Sequence, residues 1–222
     1  MKQRCRSTAF TWVITGILLT LAAPVAAQPV CWSANGHYYE AVSARNISWS
    51  SARTAAEGRS YAGRRGYLAT ITSAEENAFV WSLLRACGST SNQFFIGGYE
   101  NPPGSRRWHW VTGEPFTYTN WAPGEPSSPG SETVIALGLF CSAQWNDVPP
   151  SGSWGSAGYI VEYGGVAGDV DSNGCVGAAD LLQLLFAFGQ TGLNAADLNC
   201  DSVVNNADLL ILLFNFGQGC GG

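Results

Sequence analysis

Apolar and polar residues alternate in NGHYYEAV (35–42), and GYLATITS (66–73) reads as a second strand. FFIGGYE (94–100), ending near a glycine pair, and GYIVEY (158–163) read as further strands. The Ala-rich stretch Ser51–Glu57 is helix-prone. Ser73, with Glu76 three residues on, predicts a capping box that opens a helix from about Ala74 to Arg85. That helix is expected to bury Phe79, Trp81 or Val80, and Leu83–Leu84. Trp108, Trp110 and Phe116 follow, then YTNWAPGEPSS (118–128) and Trp145-Asn146-Asp147. Two helices, many short strands and long Pro/Gly loops predict an α+β domain. Beyond residue 165 the pattern changes. Leu181–Phe188 and Leu209–Phe216, closed by Gly189 and Gly217, predict two short helices. Both are apolar on nearly every side, so each needs cover, most simply from the other.

The first residues follow another rule. Residues 2–6 are basic, and residues 9–27 are apolar and small and end in Val25-Ala26-Ala27. That order predicts a secretory signal peptide cleaved near Ala27, and hence a secreted or extracellular mature chain. Thr11, Thr15, Thr20 and Pro24 interrupt the stretch, so no membrane span is expected in the mature chain. The expected division is 1–27 signal peptide, 28–164 α+β domain and 165–222 small all-α domain.

Composition narrows the chemistry. Of 222 residues 12% are charged, and the only lysine is Lys2, which excludes a basic nucleic-acid binder. Residues 165–222 hold six Asp and no Lys, Arg, His or Glu. An apolar segment whose only charges are aspartates points to a cation site. Export leaves Cys31, Cys87, Cys141, Cys175, Cys200 and Cys220, an even number in a compartment that permits disulfides. Their pairing stays open at this level. The absence of C-x-x-C argues against a zinc knuckle or redox motif.

The acidic segment is a repeat. DVDSNGCVGAADLLQLLFAFGQ (169–190) aligns with DLNCDSVVNNADLLILLFNFGQ (197–218) at a constant offset. Loop positions 1, 3, 5 and 12 are Asp169, Asp171, Asn173 and Asp180, then Asp197, Asn199, Asp201 and Asp208. The carbonyls of Cys175 and Val203 stand at position 7, and position 9 is Gly177, where water would serve, or Asn205. Oxygen ligands at this spacing suit Ca2+. The segment resembles the type I dockerin family, in which each repeat is an EF-hand without its entering helix. The resemblance implies calcium binding and a cohesin-like partner. Ala178, Ala179, Asn206 and Ala207 depart from the Ser/Thr usual at the family's partner-contact positions, which puts the partner in doubt but not the ion. A fold-stabilising role, or attachment to a surface or cell-surface protein, is an equal expectation.

The larger domain resembles the C-type lectin-like domain in its bacterial form. Phe95-Ile96-Gly97-Gly98 stands at the family's Trp-Ile-Gly-Gly motif, Glu125-Pro126-Ser127 at Glu-Pro-Asn, and Trp145-Asn146-Asp147 matches Trp-Asn-Asp. The expected calcium and sugar ligands are Glu125, Ser127, Glu132, Asn146 and Asp147. A cis bond before Pro126 would aim its flanking oxygens at one ion, and Trp121 or Tyr118 would pack on a sugar face. Ser127 replaces an amide with a hydroxyl, which cannot ligate and donate as an amide does. The family's paired-cysteine bridges are absent, and Cys87–Cys141 is a candidate substitute. Trp108, Trp110 and Trp145 are expected in the core, with His109 between core tryptophans.

The fold class expected is therefore α+β: a C-type lectin-like fold with a small all-α calcium-loop (dockerin/EF-hand-like) domain. The function expected is secreted, calcium-dependent glycan binding. A lectin-like module that binds protein or is structural, or a component of a polysaccharide-degrading assembly, is the alternative. A hydrolase built on Glu125 and Glu132 is disfavoured, because those carboxylates serve better as calcium ligands.

Overall fold

A computed structural model describes residues 28–84 and 93–220. The signal-peptide reading of residues 1–27 and the Cys87 half of the expected bridge lie outside the described residues.

Strands β1 (Val30–Trp32) and β2 (His37–Ser43) form an antiparallel pair, and β2 lies against β9 (Gly158–Tyr163). β9 also takes β4 (Arg64–Leu68) antiparallel, and β5 (Phe94–Glu100) in parallel. Beyond β5 lie β6 (Trp108–Trp110), β7 (Val134–Leu137) and β8 (Trp145–Val148). A two-residue strand β3 (Ser60–Tyr61) completes a hairpin with β4.

β9 is buried along its whole length because both its faces are covered. Successive strand residues face opposite sides, so one strand feeds two clusters. Tyr159, Val161 and Tyr163 pack with Trp49, Ala52 and Ala56 of α1 (Trp49–Glu57). Ile160 packs with Tyr39, Ile96, Trp110, Trp145 and Val80, the last from α2 (Ala74–Ser82). The glycine pair in β5 answers a crowding problem. A Cβ on Gly97 would stand 2.5 Å from the Leu68 carbonyl oxygen, and one on Gly98 would stand 2.3 Å from Ile135 Cδ1.

α2 departs from expectation in two ways. It stops at Ser82, because Leu83 and Leu84 donate to Val80 and Trp81, three residues back, and so tighten the last turn. The expected capping box is only half made. Ser73 Oγ accepts from Glu76 N (3.1 Å), but the Glu76 carboxylate turns inward to Thr72 N (2.7 Å) and the Tyr39 hydroxyl (2.6 Å). His37 is satisfied by Glu162 (2.6 Å), as a strand histidine should be. His109 does not sit within the tryptophan core. Strand alternation buries Trp110 and turns His109 out to solvent, where it meets the Asn101 carbonyl (3.2 Å).

The repeats form α3 (Ala178–Ala187) and α4 (Asn206–Phe214) over a third cluster of Val170, Val176, Leu184, Leu198, Val204 and Leu212. Each repeat closes on the other: Gly189 N donates to Val204 O, and Gly217 N to Val176 O, both at 2.8 Å. Mutual cover holds on the inner faces only. Leu182, Leu185, Phe186, Leu210, Leu213 and Phe214 face solvent, with Phe186 76% and Phe214 83% exposed.

Two disulfides were not legible in the cysteine spacing: Cys31–Cys200 and Cys175–Cys220. The first ties β1 to the second acidic loop. Arg64, buried on β4, donates to the carbonyls of Gly36 and Asp197 at the same junction. No helix among the described residues is long and apolar enough to cross a membrane.

Candidate functional site

The long segment between β6 and β7 is pinned to β8 before it reaches its acidic residues. Trp145 N donates to Asn120 O (2.8 Å), and Ala122 N to Trp145 O (2.9 Å). The Trp145 indole donates to Asn77 Oδ1 on α2 (2.7 Å), which holds the start of the Trp-Asn-Asp motif from below. Pro126 follows a cis bond, as its motif implied.

From that anchor three carboxylates separated in sequence converge around Ser127. Its N–H donates to Asp147 Oδ1 (2.8 Å), and its hydroxyl donates to Glu132 Oε2 (3.0 Å). Ser128 N donates to the same Glu132 oxygen (3.3 Å). Asp147 is 2% exposed. Burial pushes its carboxyl up to about 6, helped by the Glu125 side chain in hydrogen-bond contact and by the charge of Glu132, against the Ser127 N–H. Glu125 Oε2 is buried with no hydrogen-bond partner. A buried carboxylate oxygen left without a donor, among other carboxylates, fits a cation as its missing partner. Asn146, half-buried beside Asp147 on β8, stays outside this hydrogen-bonded set.

The aromatic expectation is corrected. Trp121 forms a β-bridge with Trp145 and packs on Trp108 and Trp145, while Tyr118 packs edge-on against Trp145. Both rings are half-buried at the edge of the second core cluster and are not set out as a platform.

Two residues that pattern reading missed shape the loop. Arg106 donates from Nη1 to Pro126 O (3.1 Å) and from Nη2 to Ser127 O (3.3 Å). Glu100, buried at the end of β5, accepts from Gly104 N (2.7 Å) and Arg106 N (2.5 Å), so the turn that carries Arg106 is itself held. The only sequence signal was a glutamate closing an otherwise apolar strand.

In the acidic repeats the first loop is the tighter cluster. One oxygen each from Asp169, Asp171 and Asp180 lies within 4.8 Å of the others. Asp169 accepts from Asn173 N and Gly174 N, and Asp180 from Val170, Asp171 and Gly177 N–H. Burial raises the Asp169 carboxyl. The Cys175 side chain is in a disulfide, which leaves its carbonyl as the position-7 group. The second loop repeats the frame, with Asp197 accepting from Asp201 N and Ser202 N, and Asp208 from Leu198, Asn199 and Asn205 N–H. It differs where amides replace carboxylates. Asn199 and Asn205 turn their Nδ2 groups toward Asp201 at 3.0 and 3.3 Å, and Asn199 chiefly holds the Asp201 carboxyl below its ordinary range. Asn205 Oδ1, expected as a ligand, caps α4 by accepting from Ala207 N (2.7 Å) and keeps a second lone pair. Val203, half of a β-bridge with Thr191, stands at position 7 of this loop.

Comparison with known proteins places the larger unit. The family model for the lectin C-type domain matches residues 45–152. The chain is 32% identical over 149 residues to halomucin of Haloquadratum walsbyi, covering 61% of this chain but 2% of that protein. It is 38% identical over 72 residues to lithostathine-1 of Mus musculus, covering 32% of this chain and 43% of that one. The chain thus spans less than half the length of these two curated relatives. In fold it is similar to the C-type lectin CEL-I from Cucumaria echinata, with a TM-score of 0.50 at 24% identity over 58% of this chain and 91% of that one. It is also similar in fold to human lithostathine, with a TM-score of 0.51 at 21% identity over 68% and 97%.

Proposed function

We propose, from the match of the lectin C-type domain model to residues 45–152, that the chain is a secreted, calcium-dependent glycan-binding protein whose dockerin-like repeats hold further calcium ions. The observation that carries the reading is the buried, unpartnered Glu125 Oε2 beside Asp147 and Glu132. Glu125, Glu132, Asp147 and Asn146 would hold the ion, with Ser127 at its edge. When bound, calcium would offer open coordination positions to vicinal sugar hydroxyls. The ligands' remaining lone pairs and the Asn146 amide would then take those hydroxyls' hydrogen bonds. Asp169, Asp171, Asn173 and Asp180 would hold an ion in the first repeat, and Asp197, Asn199, Asp201 and Asp208 in the second. A binder rather than an enzyme fits carboxylates committed in this way. A cohesin-like or cell-surface protein is the partner proposed for the repeat module.

One observation favours a second reading, a lectin-like module that binds protein without sugar. The Ser127 hydroxyl is engaged by Glu132, so its place offers no amide donor. Retention on immobilised neutral and acidic monosaccharides, with calcium and then with chelator, decides between them. Retention that chelator and Asp147→Asn both abolish supports the lectin reading. Absence of retention on every sugar, with calcium still bound, overturns it in favour of the second.

A further inference from the structure

Both acidic loops bear on the larger domain, and they do so at the same position. Position 4 of each loop, Ser172 or Cys200, is left-handed, with φ 58° and 62°. Residues other than glycine rarely hold that conformation without support. The Ser172 hydroxyl donates to Gly63 O (3.1 Å), in the turn before β4, and Cys200 is bonded to Cys31 on β1. The second loop makes the fuller contact. Its Leu198 carbonyl lies so near the β1–β2 turn that a Cβ on Gly36 (φ 74°) would overlap it. Arg64, 7% exposed on β4, bridges the two segments by donating to Gly36 O and to Asp197 O (3.3 Å). Among the described residues no carboxylate is in ion-pair contact with it. Burial pulls its guanidinium below the ordinary value, and Tyr38 and the Asp197 carboxylate oppose that pull. The larger domain thus sets a buried positive charge against the backbone of the loop that carries Asp197, Asp201 and Asp208.

A cation would reach this contact through the neighbours of position 4. Positions 3 and 5 of the second loop, Asn199 and Asp201, flank Cys200, and both are expected ligands. Asp201 N already donates to Asn199 Oδ1 (3.1 Å) and closes the turn between them. An ion held by both side chains fixes the left-handed tip, whereas an empty loop leaves the Asp197 and Asp201 charges opposed across it. Whatever stabilises the docked loop also stabilises the surface on which it docks. We propose that the second loop is a calcium-set clasp on the larger domain: its ion fixes the tip against β1, the Gly36 turn and β4, with Arg64 as the positioning residue, and thereby steadies the β1–β2 hairpin. The inference rests on the reading of the repeats as calcium loops and adds what the second ion does.

The test uses the full chain carrying Asp147→Asn, so that calcium acts through the repeats. Its readout is hydrogen exchange of the Gly36 and His37 amides, which donate to Trp32 O and Asn35 Oδ1. Saturating calcium is expected to slow both about tenfold. The duplication supplies the control. Asp201→Ala and Asn173→Ala remove the same exposed position-5 side chain from the second and the first loop. The first variant should abolish the slowing and the second should leave it. Arg64→Ala should reduce the slowing while calorimetry still finds both repeat ions, with Arg64→Lys intermediate. If Arg64→Ala does not fold, Arg64→Lys and the position-5 pair carry the test. Calcium bound by the repeats with unchanged exchange at Gly36 and His37 overturns the clasp and leaves the calcium reading standing. Repeats that bind no calcium overturn both. Slowing that survives Asp201→Ala overturns the part given to the second loop. Undiminished slowing in the Arg64 variants overturns the positioning role.

Discussion

The molecule gathers acidic oxygens in two different ways. In the C-terminal repeats, each acidic set lies within twelve consecutive residues, as Asp169 to Asp180 and Asp197 to Asp208. The loop bends around its own N–H groups, and the terminal aspartate is buried beneath it. In the larger domain, Glu125 and Glu132 come from a long connection and Asp147 from a strand, and they meet only because β7, β8 and Trp145 hold both segments. The difference teaches that a local cage depends on spacing alone, whereas a distributed cage inherits the stability of the whole domain. The two are also joined, because Cys31–Cys200 and Arg64 fasten the second repeat to β1 and β4.

The largest effect is expected from cutting that join. Replacing both cysteines, as Cys31→Ser with Cys200→Ser, frees the two regions in the unfolded and folded states alike and should cost about 2–5 kcal/mol. Urea unfolding followed by tryptophan fluorescence and far-UV dichroism should then separate into two transitions. A single transition with an unshifted midpoint would show that the join contributes nothing.

Next comes the local cage. Asp180→Ala leaves the N–H groups of Val170, Asp171 and Gly177 without their acceptor and should destabilise the first repeat by about 3 kcal/mol. Hydrogen exchange should rise at those amides, while β5 and β9 keep their protection. Loosening of the sheet would contradict the local reading.

The distributed cage should respond in the opposite sense. Asp147→Asn keeps an oxygen for the Ser127 N–H and removes a buried charge, so folding stability should change by about 1 kcal/mol or less. Calcium stoichiometry by titration calorimetry should nevertheless fall by one ion, with the repeat sites unchanged. A loss of repeat binding would mean that the two cages are not separate.

The smallest effect concerns the core beneath them. Burial raises the Glu76 carboxyl, and the charge of Glu162 adds to this. The folded chain thus holds that proton more tightly than the unfolded one. The resulting stability is complete below the ordinary carboxylate range and is lost as pH rises through the raised Glu76 value. Unfolding midpoints measured against pH should show that decline in the wild type and a flatter profile in Glu76→Gln.

Much of this was legible one element at a time. The strands at 94–100 and 158–163 lie where their apolar runs placed them, and α2 opens after the cap predicted at Ser73, while α1 covers the helix-prone stretch but starts two residues before it, at Trp49. The inward turn of Glu76 was not legible, because a capping residue and a core carboxylate look alike until Tyr39 and Glu162 are brought beside it. Trp121 and Tyr118 misled for the same reason: an aromatic near a binding motif is a sugar platform or a core edge according to what lies behind it, and here Trp145 does.

The sequence by itself determined the periodic elements, the duplicated acidic loops and the motif residues of the larger domain, because each depends on neighbours a few positions away. Only the tertiary structure decided that Cys31 pairs with Cys200, that Arg106 clasps the peptide beside Ser127, and that Glu125 keeps a buried oxygen without a donor. These contacts join segments far apart along the chain. Their energies exist only after burial has removed water, and no spacing in a linear string encodes which distant group will fill the gap.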